Sequence, residues 1–169
     1  MKTRNIIKRT IIAAMALSIL VIGSSCARMP QNMAEANAVT FLENYYDGDA
    51  QKCVDLILDE LVAEIIVADG YGTEDVLGYA LEKALDSSIE EYRDEYGKKW
   101  KYEITIIDSY KIESPEGFSE YECMSVLLNV QFEGRKLLFF KVEGSEEKEV
   151  QMIKKNGTWY VLAVSDALI

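Results

Sequence analysis

The spacing of hydrophobic and polar positions changes once along the chain, near residue 98, and divides it into a helical first half and a strand-rich second half. Ala34, Ala38, Phe41, Leu42 and Tyr45 recur at helical spacing and form one apolar stripe. Gly48 is placed to end that helix as its C′ residue, and Asp49 to cap the next. The second helix is expected to carry Val54, Ile57, Leu58, Leu61, Val62 and Ile65 on one face, with Asp55, Asp59, Glu60 and Glu64 largely opposite. It breaks at Asp69-Gly70-Tyr71-Gly72. Thr73 then caps a third helix, with Glu74 and Asp75 placed well for its dipole. Val76, Leu77, Ala80, Leu81, Ala84, Leu85 and Ile89 form its apolar face, and Gly97 stops it.

From Lys98 the period is two. Trp100, Tyr102, Ile104 and Ile106 alternate with Lys101, Glu103 and Thr105, as a half-buried strand requires. Pro115-Glu116-Gly117 marks a turn. Met124, Val126, Leu128, Val130 and Phe132 alternate in a second strand, which Glu133-Gly134 is expected to turn. Residues 137–142 predict a strand covered on both sides. Residues 150–155 and 158–164 flank Asn156-Gly157, a strong hairpin signal. Helices followed by an antiparallel meander give an α+β class: three N-terminal helices packed on a curved antiparallel sheet of four to five strands.

The first residues carry an address. Lys2, Arg4, Lys8 and Arg9 precede an apolar run over residues 11–22 that is interrupted only by Ser18. A basic start, a short apolar core and small residues make a secretory signal. The run falls short of the roughly 20 apolar residues a spanning helix needs, which argues against an uncleaved anchor. Gly23-Ser24-Ser25-Cys26 resembles a lipobox, with Gly23 standing where a Leu-like residue is usual. That resemblance implies a lipid on Cys26; ordinary cleavage after Ala27 is the competing reading. The expected divisions are a signal peptide over 1–25, a lipidated tether over 26–32 and one domain over 33–169. Two acyl chains anchor stably where one would not, so the expected location is the extracytoplasmic face of a membrane.

Composition sharpens this. The whole chain holds 18 basic and 29 acidic residues, a balance of −11. Without the four basic residues of the signal it is 14 against 29, or −15. Such a surface repels phosphate backbones, so no nucleic-acid partner is expected. Beyond Cys26, Cys53 and Cys123 are read as two free, partly buried thiols in preference to a disulfide.

A family resemblance rests on two segments. Phe41-Leu42-Glu43-Asn44-Tyr45-Tyr46-Asp47-Gly48-Asp49-Ala50 looks like the opening of NTF2-like cone folds, and residues 150–161, which contain Lys155-Asn156-Gly157-Thr158-Trp159, are similar to their closing strand pair. More narrowly, the chain resembles small secreted lipoproteins of the DUF4878 and DUF5105 type. The likeness covers most of residues 33–166 and implies a pocket between helices and sheet, but no single activity.

The chain contains no histidine, which excludes Ser-His-Asp and Cys-His catalysis and removes the commonest metal ligand. No phosphate-binding loop motif occurs, and neither a metal nor a cofactor is expected. Continuing the inward alternation of the first strand brings Asp108 and Tyr110 to one face, where a carboxylate with a raised pKa beside a phenol could move protons. The plainer alternative leaves both at a solvated rim. Tyr45, Tyr79, Trp100, Tyr102, Phe139 and Trp159 are candidate pocket aromatics, core packing being the simpler account. Three readings follow. The leading one is a non-enzymatic binding or protein-interaction module; the second is a small isomerase or dehydratase using Asp108 and Tyr110. The third is a module filled by its own side chains, with a homodimer through the outer sheet face, near Leu127, as a further expectation.

Overall fold

The computed structural model describes residues 29–57, 74–115, 118–136 and 140–166. Helix α1 spans Met33–Asp47. Asn32 caps its start by accepting from the Glu35 amide at 3.0 Å. Its end is closed by Gly48 at φ 78°, a left-handed conformation that glycine adopts without strain. There the Gly48 amide donates to the Tyr45 carbonyl and the Asp49 amide to that of Asn44, so two terminal carbonyls are satisfied together.

Asp49 does cap the next helix, α2, but α2 is short and spans only Ala50–Val54. The chain then turns, and the Leu56 carbonyl accepts from the Val161 amide at 2.8 Å while Ile57 bridges to Val161. The expected second helix therefore stops before Ile57. Sheet pairing takes over there, because a free strand edge offers the backbone an alternative partner. Leu58, Leu61, Val62, Ile65, Gly70, Gly72 and Thr73 lie outside the described residues, as do Cys26 and the whole signal segment. Helix α3 spans Glu74–Tyr96, and Gly97 at φ 92° ends it by donating to the Arg93 carbonyl. Among the described residues no helix is long and apolar enough to cross a membrane.

Four strands follow: β1 Lys101–Ile112, β2 Glu122–Lys136, β3 Phe140–Lys155 and β4 Thr158–Asp166. They form one antiparallel sheet in the order β1-β2-β3-β4. The fold class is the α+β arrangement the sequence predicted. Ala34, Ala38, Phe41 and Leu42 of α1 and Leu85 of α3 are buried with Val126, Leu128, Val130, Val150 and Met152 of the sheet. Asn156 at φ 52° and Gly157 at φ 85° make the predicted β3–β4 turn, whose two positive φ values match the twist of the flanking strands.

Three strand expectations need correction. Glu133-Gly134 does not turn the chain; β2 continues through it to Lys136, which pairs with Phe140. Gly134 is instead the place where the carbonyl of Tyr96 lies against the sheet, in space a β-carbon would fill. Residues 140–142 open β3, which runs unbroken through residues 150–155, so one strand stands where two were expected. Phe140 is 66% exposed rather than covered. Residues 137–139, Glu116 and Gly117 lie outside the described residues.

The third correction bears on chemistry. Ile106 pairs with Leu128 and Asp108 with Leu127, leaving Ile107 as an extra residue. A bulge of this kind shifts the phase of every side chain beyond it. Asp108 and Tyr110 are exposed, and the inward position passes to Ser109.

Candidate functional site

The interior between helices and sheet is occupied by rings of the chain itself. Tyr46, 3% exposed, sits at their centre. Its ring centroid lies 5.2 Å from those of Tyr45 and Tyr102, 5.5 Å from Phe132, 5.6 Å from Tyr92 and 6.3 Å from Trp100. Tyr92 stacks on Phe132 at 4.9 Å and on Trp100 at 5.3 Å, and Tyr96 stacks on Phe132 at 5.2 Å. Offset and edge-on ring pairs each contribute about 0.5–1.5 kcal/mol beyond their burial. Among the described residues these rings fill the space between α1, α3 and the sheet as a plug.

Polar ends of the plug are tied down. The Tyr46 and Tyr92 hydroxyls both donate to Oε1 of Glu146, Tyr92 at 2.9 Å, while Lys148 Nζ lies 3.4 Å from Oε2. Burial, then the bond to Glu146 and the repulsion of its charge, push both phenols well above their ordinary pKa. Tyr102 is raised as well, by burial and then by donating to Asp47 Oδ1 at 2.7 Å. These phenols hold their protons throughout the neutral range. They act as donors that fix geometry, not as groups that exchange protons.

A second buried anchor stands at the opposite end of α1. The Glu35 side chain is fully buried. It accepts from Ser109 Oγ at 2.6 Å and from the Gln31 amide at 2.6 Å. Its place in the first turn of α1 sets its charge against the positive end of the helix dipole.

Beside the plug, where α3 ends and β1 begins, lies an open cleft of about 1280 Å³. Arg93, Lys98, Lys99, Lys101, Arg135 and Lys136 line it, with Glu90, Asp94 and Glu133. A smaller cleft of about 480 Å³ shares Arg93, Lys98 and Lys101 and is floored by Tyr46, Trp100 and Tyr102. None of the six cations makes an ion pair among the described residues, whereas Lys52, Lys111, Lys141, Lys148 and Lys154 all do. The close approach of Tyr96-Gly97 to Gly134-Arg135 brings the three elements together.

The structure scatters the candidate pocket aromatics. Trp100 and Tyr102 reach the basic end. Tyr45 packs behind Tyr46 and donates to Ser88 Oγ at 3.2 Å. Tyr79 is 56% exposed on the outside of α3, with Lys83 Nζ 4.7 Å from its ring centre, beside a different cleft. Trp159 lies at the far end, where its carbonyl accepts from Asn37 at 2.7 Å and Lys154 sits over its ring. Phe139 is outside the described residues.

The Asp108–Tyr110 pair does not face the interior. Asp108 accepts from the Ser109 amide at 2.8 Å, and Tyr110 donates to Glu149 Oε1 at 3.1 Å. Leu127 is half-buried, paired with Asp108 and Glu149 on the neighbouring strands. Sequence reasoning missed Tyr92, Tyr96, Glu146 and the cation cluster, and named Phe132 only as an apolar strand position. The i, i+4 pair Tyr92 and Tyr96 extends the stripe of Leu85 and Ile89, and Lys98-Lys99 and Arg135-Lys136 stand out in an acidic chain.

No protein-family profile matches the chain, and no curated protein does. Among solved structures it is similar to one described as a calcium/calmodulin dependent protein kinase II association domain from Xanthomonas campestris. The two share 11% identity and a TM-score of 0.43, over 86% of this chain and 93% of that one.

Proposed function

We propose that this protein is an exported lipoprotein, held by Cys26 on the extracytoplasmic side of a membrane, of the DUF4878/DUF5105 type. It works as a non-catalytic binding module that engages its partner from outside the fold, at the basic end. The observation that carries the reading is the filling of the interior by Tyr46, Tyr92, Tyr96, Trp100 and Phe132, which among the described residues leaves the outer clefts for binding. The signal-like start and Cys26 support the address. With a balance of −15 beyond the signal, the domain gains nothing overall from an anionic lipid surface, so the acyl chains hold it there.

Two measurements test this together. Radioactive palmitate is expected to label the wild type and not Cys26→Ser; label persisting in that variant would sink the anchor. Cross-linking the anchored protein in its host, followed by mass spectrometry, is expected to give partners that disappear in Lys98→Gln/Lys99→Gln. An identical profile for both forms would remove the basic end from the function.

A further inference from the structure

The six cations are gathered against the character of the chain. Beyond the signal there are 14 basic residues among 29 acidic ones, and six of those 14 converge on one cleft. Arg93, Lys98 and Lys99 lie where the negative end of the α3 dipole would favour cations anyway. That account stops with them: Lys101 starts β1, and Arg135 and Lys136 end β2. All six are exposed and unpaired among the described residues, although the cleft also holds Glu90, Asp94 and Glu133. Three carboxylates stand against six cationic groups, and one of them, Glu133, is also held by Lys141. The cleft therefore keeps an excess of positive charge that an external anion carrying several charges would balance.

Geometry narrows that anion. The cleft is open and its cations come from three elements, with lysines outnumbering arginines. An arginine fork matches carboxylate and phosphate alike, whereas lysine ammonium groups act as point charges that the several oxygens of a phosphate accept from different sides. Position narrows it further. The start of α1 packs beside Ser109 and Trp159, while its other end meets Tyr102 and the basic rim. Fifteen residues of helix separate the two ends by about 20 Å. The cleft therefore lies at the end of α1 opposite the one that the N-terminal segment enters.

We propose that this cleft binds a polyanion carrying several phosphate groups, taken up at the end of α1 opposite the N-terminal segment. The inference deepens the reading of the protein as a binding module and rests on it. The test uses the mature lipidated protein in nonionic-detergent micelles, with immobilised long-chain inorganic polyphosphate as the probe. Binding is expected at low salt and should weaken steeply as salt rises, as counterion release requires.

Lys98→Gln/Lys99→Gln and Arg135→Gln/Lys136→Gln should each weaken binding about tenfold or more and flatten the salt dependence, by about one in log–log slope per lost phosphate contact. Lys52→Gln/Lys83→Gln, on another surface, should leave binding unchanged, and thermal melts should show all variants folded. The proposal is overturned by no binding at low salt, or by equal loss in the control variant. Polyglutamate displacing the protein as well as free polyphosphate would overturn the phosphate assignment. Phosphatidylglycerol in the micelles doing so would overturn the polymer. If polyphosphate fails while the cross-linked partners still depend on Lys98 and Lys99, the ligand is rejected and the module reading stands.

Discussion

Tyr46 of α1 and Tyr92 of α3 meet at one atom, Oε1 of Glu146 on β3, so a single carboxylate joins two helices to the sheet. A buried donor that loses a charged acceptor costs about 1.5–3 kcal/mol. Here two donors depend on the same acceptor. Glu146→Ala is expected to destabilise the fold by roughly 2–4 kcal/mol, and Tyr46→Phe by less, because Tyr92 and Lys148 still satisfy the carboxylate. Urea unfolding of the wild type and the two variants checks the order; equal loss in both would show that Glu146 matters only through Tyr46.

The same pair sets a response to alkali. Both phenols have folded pKa values above the ordinary 10.0, so the native state keeps protons that the unfolded state gives up. Their contribution is fully present below pH 10 and is lost as pH climbs above it. Stability should therefore fall through the alkaline range, and Tyr46→Phe should fall less steeply, by one proton in the slope. Denaturation midpoints taken at stepped alkaline pH, with tyrosinate absorbance followed alongside, give the answer. A variant with the wild-type slope would remove Tyr46 from the linkage.

Thiol chemistry makes a third expectation. Cys53 is fully buried, and burial, reinforced by the nearby charge of Asp49, pushes its thiol up to about 12. Cys123 is buried in a separate small cluster with Ile153, and both thiols are free. Native protein at neutral pH should react with iodoacetamide more slowly than unfolded protein by on the order of a hundredfold, since the thiolate is the reacting form. Fast labelling of Cys53 in the native state would contradict this environment.

The bulge at Ile107 predicts which residue of β1 matters to the fold. Ser109→Ala removes a 2.6 Å donor to the buried carboxylate of Glu35 and should cost about 1–3 kcal/mol. Asp108→Asn changes an exposed side chain and should stay within about 0.5 kcal/mol. Thermal melts suffice, and the reverse order would return Asp108 to the interior.

Period carried most of the fold into the sequence. The α1 stripe, its Gly48 and Asp49 caps, the end of α3 at Gly97 and the Asn156-Gly157 turn were all legible, because each is decided by residues a few positions apart. What escaped was decided at long range. Alternation cannot show an inserted residue, so it left Asp108 open between the interior and a solvated rim; the rim is where it lies, and the inward place belongs to Ser109, which alternation did not name. Gly134 had the composition of a turn, and only the distant Tyr96 carbonyl explains why it stays in a strand. The basic rim likewise joins residues 43 positions apart, from Arg93 to Lys136, and the plug joins residues 100 apart, from Tyr46 to Glu146, which no local window sees.

Gly134 provides the last test, because it connects stability to the basic rim. A methyl group there would collide with the Tyr96 carbonyl, which is backbone and cannot swing aside as a flexible side chain could. Gly157 meets nothing within 4 Å, and alanine there pays only for its φ of 85°. That conformational cost is about 1–2 kcal/mol. Overpacking at Gly134 should cost about 1–3 kcal/mol or more and also displace the Tyr96-Gly97 segment from Arg135. Gly134→Ala is therefore expected to weaken polyphosphate binding at a temperature where it is still folded, whereas Gly157→Ala should lose stability alone. Melting curves paired with the binding assay separate the two outcomes. Equal binding in both variants would mean that the approach of α3 to β2 does not shape the cleft.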